Sequence, residues 1–430
     1  MTEQSKGART LSGGAKGAEV EGFGRSGQSL LEDDASSART HSTARGPHSR
    51  PRSAQGARLR QALAAAIAIA GIIWATAASA GATSTVSGSA YIDYWYLSSE
   101  EARAASLQPI TPEAAIKIEV DVHENVSFSA RMCFGCHGIE IDRAHIDFTP
   151  SQYFNVQLGR VGVPFGEFSV RYDPTSHRTV SKPLIYEMGR MPYYGKNHFN
   201  LGVVPMPYVD TGAVVYGQVW FGENVQLWYG AYAVGGYKGT NDVDWVSMRT
   251  PYYLDNNRWP TGGGRAVLTI SGNPGSAFRD LTLGFSGMHG FYDPEEKKKY
   301  SAFGVDLSLR VGPVTLRAEG AYLRMNVDPD VRGYRYQLVD PWFEKGGFYA
   351  ELEHPIGPYV IALYRFDLFR RVGAPLPGQL LTYDSRILRY TGALQVLLGE
   401  SVFLKGSYEY WWFTDFPASH SAHFGLGGMF

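Results

Sequence analysis

The 430-residue sequence contains two cysteines, Cys133 and Cys136, and His137 stands directly behind the second. Cys-x-x-Cys-His is the spacing that c-type haem attachment needs: two thiols add to the porphyrin vinyl groups and the imidazole takes the proximal position on iron. A distal iron ligand would come from Met188 or Met191, in the loop-like stretch 186–194, or from Met132, His145, His177 or His198. A methionine there would raise the potential above that of a bis-histidine site. The same thiols have a plainer use, a Cys133–Cys136 disulfide that stiffens a loop tip in an oxidising compartment. A catalytic dithiol would need a helix N-terminus to acidify its thiol, and no helical pattern adjoins the run. Zinc would need a second ligand pair at recognisable spacing, which the sequence lacks.

Haem c implies electron transfer, but one haem cannot carry electrons through an apolar slab about 30 Å thick. Partner cytochromes, periplasmic or at the cell surface, would be required, with this chain as a haem-bearing sheath or a structural scaffold for them. No other run argues for an enzyme. Gly262-Gly263-Gly264-Arg265 precedes no helix and is a turn rather than a phosphate cradle. The carboxylate pairs Asp142/Asp147 and Glu351/Glu353 fit ordinary strand alternation better than a glycosidase pair. Residues 295–299, Glu-Glu-Lys-Lys-Lys, read as an exposed loop. Neither Gly-x-Ser-x-Gly nor His-Glu-x-x-His occurs. The net charge of −1 is uninformative, and no basic run interleaved with aromatics points to nucleic acid as a partner.

The elements that must position these residues are strands. Gly 50, Tyr 27, Phe 22 and Trp 9 with only 19% charged residues is a sheet-and-turn composition. Period-two alternation is clearest in 303–325, where Phe303, Val305, Leu307 and Leu309 share one face and Asp306, Ser308 and Arg310 the other. After a turn at 311–313, Val314, Leu316, Ala318, Gly320 and Tyr322 are apolar, and Arg317 and Glu319 polar. Two more hairpins run over 214–234, around 222–224, and over 116–132, around Glu124-Asn125. In a soluble sandwich the apolar face would meet a core; in an outer-membrane barrel it meets lipid and the polar face meets a wet lumen. Long charged side chains on the polar face (Arg310, Arg317, Glu319, Lys405, Glu409) favour the barrel. Aromatics in 91–97, 191–194 and 408–413 fit interface girdles at strand ends. Arg160, Arg171, Arg178, Arg190, Arg310, Arg317 and Arg365 would draw anions into such a lumen, yet acids are about as numerous, so ion selectivity stays open.

Residues 58–80 read as a signal peptide: Arg58 and Arg60, the apolar run 63–75, then Ala78-Ser79-Ala80. Residues 1–57, rich in Ser, Gly and Arg without apolar period, read as a disordered leader or as upstream sequence included in translation. That leaves 81–430 as the barrel. Its last stretch, 423–430, alternates Phe424, Leu426, Gly428 and Phe430, and is similar to the C-terminal strand by which bacterial outer-membrane barrels are recognised. About 350 residues at some 20–22 per strand with its loop predicts about 16 strands, within 14–18. The expected fold is all-β, a transmembrane antiparallel barrel in the bacterial outer membrane, in contact with the lipid bilayer.

Residues 139–184 carry a closer likeness. An acidic strand and a short turn lead to a strand ending Gly159-Arg160-x-x-x-Pro164-Phe165-Gly166; Arg171-x-Asp173-Pro174-Thr175 and Lys182-Pro183-Leu184 follow. This order resembles the first third of phosphate-selective and related substrate-specific porins. The resemblance implies a 16-stranded barrel, trimeric, passing small solutes or ions. The phosphate-binding residues of that family have no matching constriction-loop motif here. Porins place short turns on the periplasmic side, so the hairpin tip at 133–137 is expected to face outward from the cell or fold into the lumen, with Cys133 on the lumen side. The expected function is a porin-like channel bearing haem c; the alternative is a plain passive porin with a loop disulfide.

Overall fold

The computed structural model describes residues 83–99, 110–135, 138–193, 202–241, 255–329, 338–373 and 382–430. The expected leader (1–57) and signal peptide (58–80), Cys136, His137 and His198 lie outside the described residues. Among the described residues no helix is long and apolar enough to cross a membrane. Sixteen strands form the wall instead.

β1 (Thr83–Leu97), β2 (Ile110–His123), β3 (Val126–Gly135) and β4 (Gly138–Phe148) form the first part of the wall. β5 (Asn155–Gly162) ends where the chain turns inward, and β6 (Val209–Phe221) resumes the wall. β7 (Val225–Val234), β8 (Thr261–Ser271), β9 (Phe278–Phe291), β10 (Lys299–Val311) and β11 (Val314–Asn326) follow. β12 (Trp342–Ile356), β13 (Val360–Val372), β14 (Asp384–Leu397), β15 (Val402–Phe413) and β16 (Ser419–Met429) complete it. Each strand pairs antiparallel with its sequence neighbours, and β1 pairs with β16, closing the barrel. Closure leaves no sheet edge to seek a partner. Gly88 and Phe430 seal the seam by exchanging backbone hydrogen bonds at 3.0 and 3.1 Å.

The three hairpins expected from alternation are β10–β11, β6–β7 and β2–β3, with turns at the expected residues. The two faces separate sharply. Phe303 and Val305 are 60% and 55% exposed on the outside, while Asp306 between them is 6% exposed and points in. Tyr364, Tyr390, Tyr408 and Phe424 continue the outer apolar surface. Each such side chain gains about 1.5–3 kcal/mol on leaving water, so acyl chains rather than water are the solvent this face is built for.

Two expectations need correction. The lumen is not simply wet: residues of the β5–β6 connection and inward aromatics of the wall form a buried apolar cluster inside the barrel. Within it lie Met191, expected as a distal iron ligand, and Tyr193, expected in an interface girdle. Tyr193 instead stacks on Phe416 and meets Phe413 edge-on inside the wall. Its stretch is not a strand, so no alternation carries it outward.

Candidate functional site

Residues 163–208, described except for 194–201, leave the wall as a strap across the lumen. Their sequence explains the departure. Alternation stops at Gly162, and Pro164, Pro174, Pro183, Pro205 and Pro207 cannot donate to a central sheet ladder. Gly166 turns the chain at a φ of 73°, where a side chain is disfavoured. Two 3-10 turns, Phe168–Val170 and Leu184–Tyr186, are its only regular elements among the described residues. Val163 N–H donates to Tyr208 O at 2.9 Å, tying the departing and returning ends.

The strap is pinned to the far wall through groups that the strands present to it. The Glu319 carboxylate on β11 accepts from Glu167 N–H (2.9 Å), Phe168 N–H (3.2 Å) and the Tyr186 hydroxyl. Asp367 on β13 accepts from Leu184 N–H at 2.9 Å, and Ser407 on β15 from Val180 N–H at 3.2 Å. Arg365 donates to Thr179 Oγ1 (2.9 Å) and Ser181 Oγ (2.6 Å); Arg389 donates to Lys182 O (2.6 Å). Lys405 donates to the carbonyls of Pro174 and His177. Strap arginines reach back, Arg171 to Glu351 at 3.3 Å and Arg178 to Glu353 at 3.1 Å. Buried ions persist only when paired and hydrogen-bonded, and removing one partner costs about 3–5 kcal/mol. The strap is therefore held by mutual dependence rather than by any single contact.

Opposite this pinned side, a cavity of about 140 Å³ remains between the strap and β1–β4. Its wall side presents Tyr91, Glu113, Arg131, Cys133, Glu140 and Asp142; its strap side includes Tyr172, His177, Lys182, Glu187, Met188 and Arg190. Most of these groups are already engaged. Arg131 pairs with Asp142 and Asp173, and Arg190 with Asp93. The Tyr172 hydroxyl donates to Asp142 at 2.6 Å, and burial pushes that phenol above its usual range. Lys182 Nζ donates to Met206 O at 2.7 Å. Glu187 Oε1 accepts from Met188 N–H (3.0 Å) and Arg190 N–H (2.8 Å). Burial holds the His177 imidazole well below the ordinary histidine range, and Lys405, Arg171, Lys182 and Arg365 oppose its protonation further. Tyr91 lies over the inner face of β16, where a Cβ on Gly425 would come within 2.2 Å of its hydroxyl.

The structure sorts the residues singled out in the sequence. Cys133 faces the lumen, donating weakly to Glu113 Oε1 at 3.7 Å, and shares the cavity with Met188 and His177. Among the described residues Cys133 is a free thiol. Met191 is buried in the apolar cluster rather than beside Cys133. Arg317, Glu319 and Arg365 lie in the ion network behind the strap. Arg160 on β5 donates to Ile141 O at 3.0 Å and lies 3.7 Å from Glu140. Arg310 sits at the β10–β11 turn, paired with Asp280 and more than half exposed. None of these five lines the cavity. Glu113, Tyr91, Asp142 and Glu187 do; sequence reasoning passed over the first three because single polar positions in alternating strands look alike, and over Glu187 because the strap has no period at all. No group of three or more histidine, cysteine, aspartate or glutamate side chains is placed to hold a metal among the described residues.

No protein-family model matches the sequence, and no curated protein matches it. Solved structures do. An anion-selective porin from Comamonas acidovorans has a TM-score of 0.52 at 11% identity, covering 81% of this chain and 100% of that one. OmpF of Salmonella typhi, in a complex with daunomycin, has a TM-score of 0.51 at 9% identity, covering 82% and 99%. OmpT of Vibrio cholerae has a TM-score of 0.50 at 8% identity, covering 81% and 98%. At these identities what is shared is the architecture: the chain folds as a closed sixteen-stranded barrel of the kind that outer-membrane porins use.

Proposed function

We propose that the protein is a passive, non-enzymatic channel in a bacterial outer membrane, passing small solutes or ions between its strap and the β1–β4 wall. The observation that carries this reading is the charged cavity left beside a strap that otherwise fills the lumen. Space bordered by both signs of charge suits small hydrated solutes, while the packed side excludes large ones. The porin likeness favours a homotrimer. Purified full-length chain in a planar bilayer is expected to give stepwise currents, smaller than those of a porin with an open lumen. A barrel that inserts and carries no current would overturn the channel.

A second reading follows from the Cys-x-x-Cys-His run: haem c on Cys133 and Cys136, ligated by His137, with Met188 as distal ligand and cytochromes as partners. What favours it is that Cys133 and Met188 line one cavity. Such a haem would supply one-electron redox chemistry. The fit is poor, because a cavity near 150 Å³ holds a molecule of about benzene's size, and a porphyrin does not enter it. A haem there would stand outside the described cavity, and no electron-transfer step is assigned to the lumen. Haem staining of the denatured chain decides: a stained band supports the reading, and a colourless band leaves the plain channel with free thiols or a loop disulfide.

A further inference from the structure

We propose that the cavity beside the strap is a binding subsite for a small organic cation with N–H donors, a primary ammonium of about benzene's size or smaller. The proposal rests on the channel reading, since it names the solute class the passage selects. Size comes first. The space of about 140 Å³ is close to that of an engineered cavity that accepts benzene, and is roughly ten times what one water needs. It suits a compact solute rather than a sugar chain or a cofactor.

Charge and hydrogen bonding then select the class. The lining carboxylates are Glu113, Glu140, Asp142 and Glu187, against Arg131, Lys182 and Arg190. Each of these cations already has a carboxylate or carbonyl partner, as described above. Glu113 has no cationic partner among the described residues. Its one hydrogen bond there comes from the weak S–H donor of Cys133 at 3.7 Å. One further polar group lines the same cavity unsatisfied. The Tyr91 hydroxyl has no hydrogen-bond partner among the described residues, although its side chain is only 6% exposed. Buried polar atoms are nearly always paired, and those that are not call for a ligand, an ion or a water. Glu113 and the Tyr91 hydroxyl both accept hydrogen bonds, and an ammonium brings three donors and no acceptor. A neutral alcohol would leave Glu113 uncompensated, and a quaternary ammonium would leave both acceptors unmet.

The test is calorimetric titration of the full-length chain in detergent with propylammonium chloride, with 1-propanol and tetramethylammonium chloride as controls. Propylammonium is expected to bind saturably, and the two controls at least about tenfold more weakly, as loss of charge-assisted hydrogen bonds requires. Glu113→Gln is expected to weaken propylammonium by about tenfold, and Tyr91→Phe by roughly threefold. Each variant is first checked for a detergent-resistant barrel. Should Glu113→Gln fail to assemble, Tyr91→Phe carries the test. Equal binding of the controls, no saturable propylammonium binding, or full affinity in the folded variants would overturn the subsite. Currents in potassium chloride are read separately. A conducting chain indifferent to propylammonium overturns the subsite alone, whereas a silent chain that binds it overturns the channel and keeps the subsite.

Discussion

At His177 a proton is least welcome, and that has a consequence for acid. The imidazole is buried between strap and wall, tilted against the Phe168 ring, and faced by Lys405 from β15, Arg365 from β13, and Arg171 and Lys182 from the strap itself. The unfolded histidine titrates near its ordinary value of 6.5 and the folded one well below it. As pH falls, the unfolded state therefore takes up more protons than the folded state. The contribution of neutral His177 is fully present above about pH 6.5 and is lost as pH falls toward the folded value. We expect proteolytic cleavage of the strap to rise between about pH 7 and about pH 5 in the native chain. His177→Gln, which cannot be protonated, should flatten that rise. An identical profile in both chains would place the acid sensitivity elsewhere. Sequence alone marks His177 only as one of several possible iron ligands, because the four cations around it come from segments up to 228 residues away.

In the proposed channel the strap would set selectivity, and Gly166 is its hinge into the lumen. A Cβ there would lie 1.9 Å from Glu319 Oε1 and 2.1 Å from the Tyr186 hydroxyl, at a φ only glycine adopts freely. Gly166→Ala is expected to cost about 1–3 kcal/mol at this end of the strap. Its readouts are larger single-channel current and faster strap cleavage, with the barrel intact. Unchanged current would show that the strap is not the constriction. The wall was legible because its physics is local: lipid outside and polar groups inside impose a two-residue period on each strand, as in Phe303 to Arg310. Tyr193 was misplaced and the strap missed as a constriction for the opposite reason. Their positions are set by packing against Phe413, Phe416 and Glu319, with no period to betray it. The prolines and the end of alternation at Gly162 were the signals present, and they said only that the wall stops there.

For the whole molecule, the outer face and the lumen set opposite solvent requirements. Outward residues such as Phe285, Tyr364 and Phe424 need hydrocarbon, while Arg365, Asp367, Arg389 and Glu409 share a buried ion network within the wall. A channel that is half packed core and half charged cavity should pass little current and discriminate strongly, which is the combination the bilayer measurement tests. The pins described above also impose a timetable. Phe168 awaits Glu319, 151 positions further on, and Pro174 awaits Lys405, 231 positions further on. Contacts so remote in the chain form late. As the polypeptide emerges, its midsection has nowhere to settle until β11, β13 and β15 have been made. The strap's fixed side is thus templated by the last third of the chain, and a barrel stalled before those strands would lack the scaffold that holds the strap in the lumen.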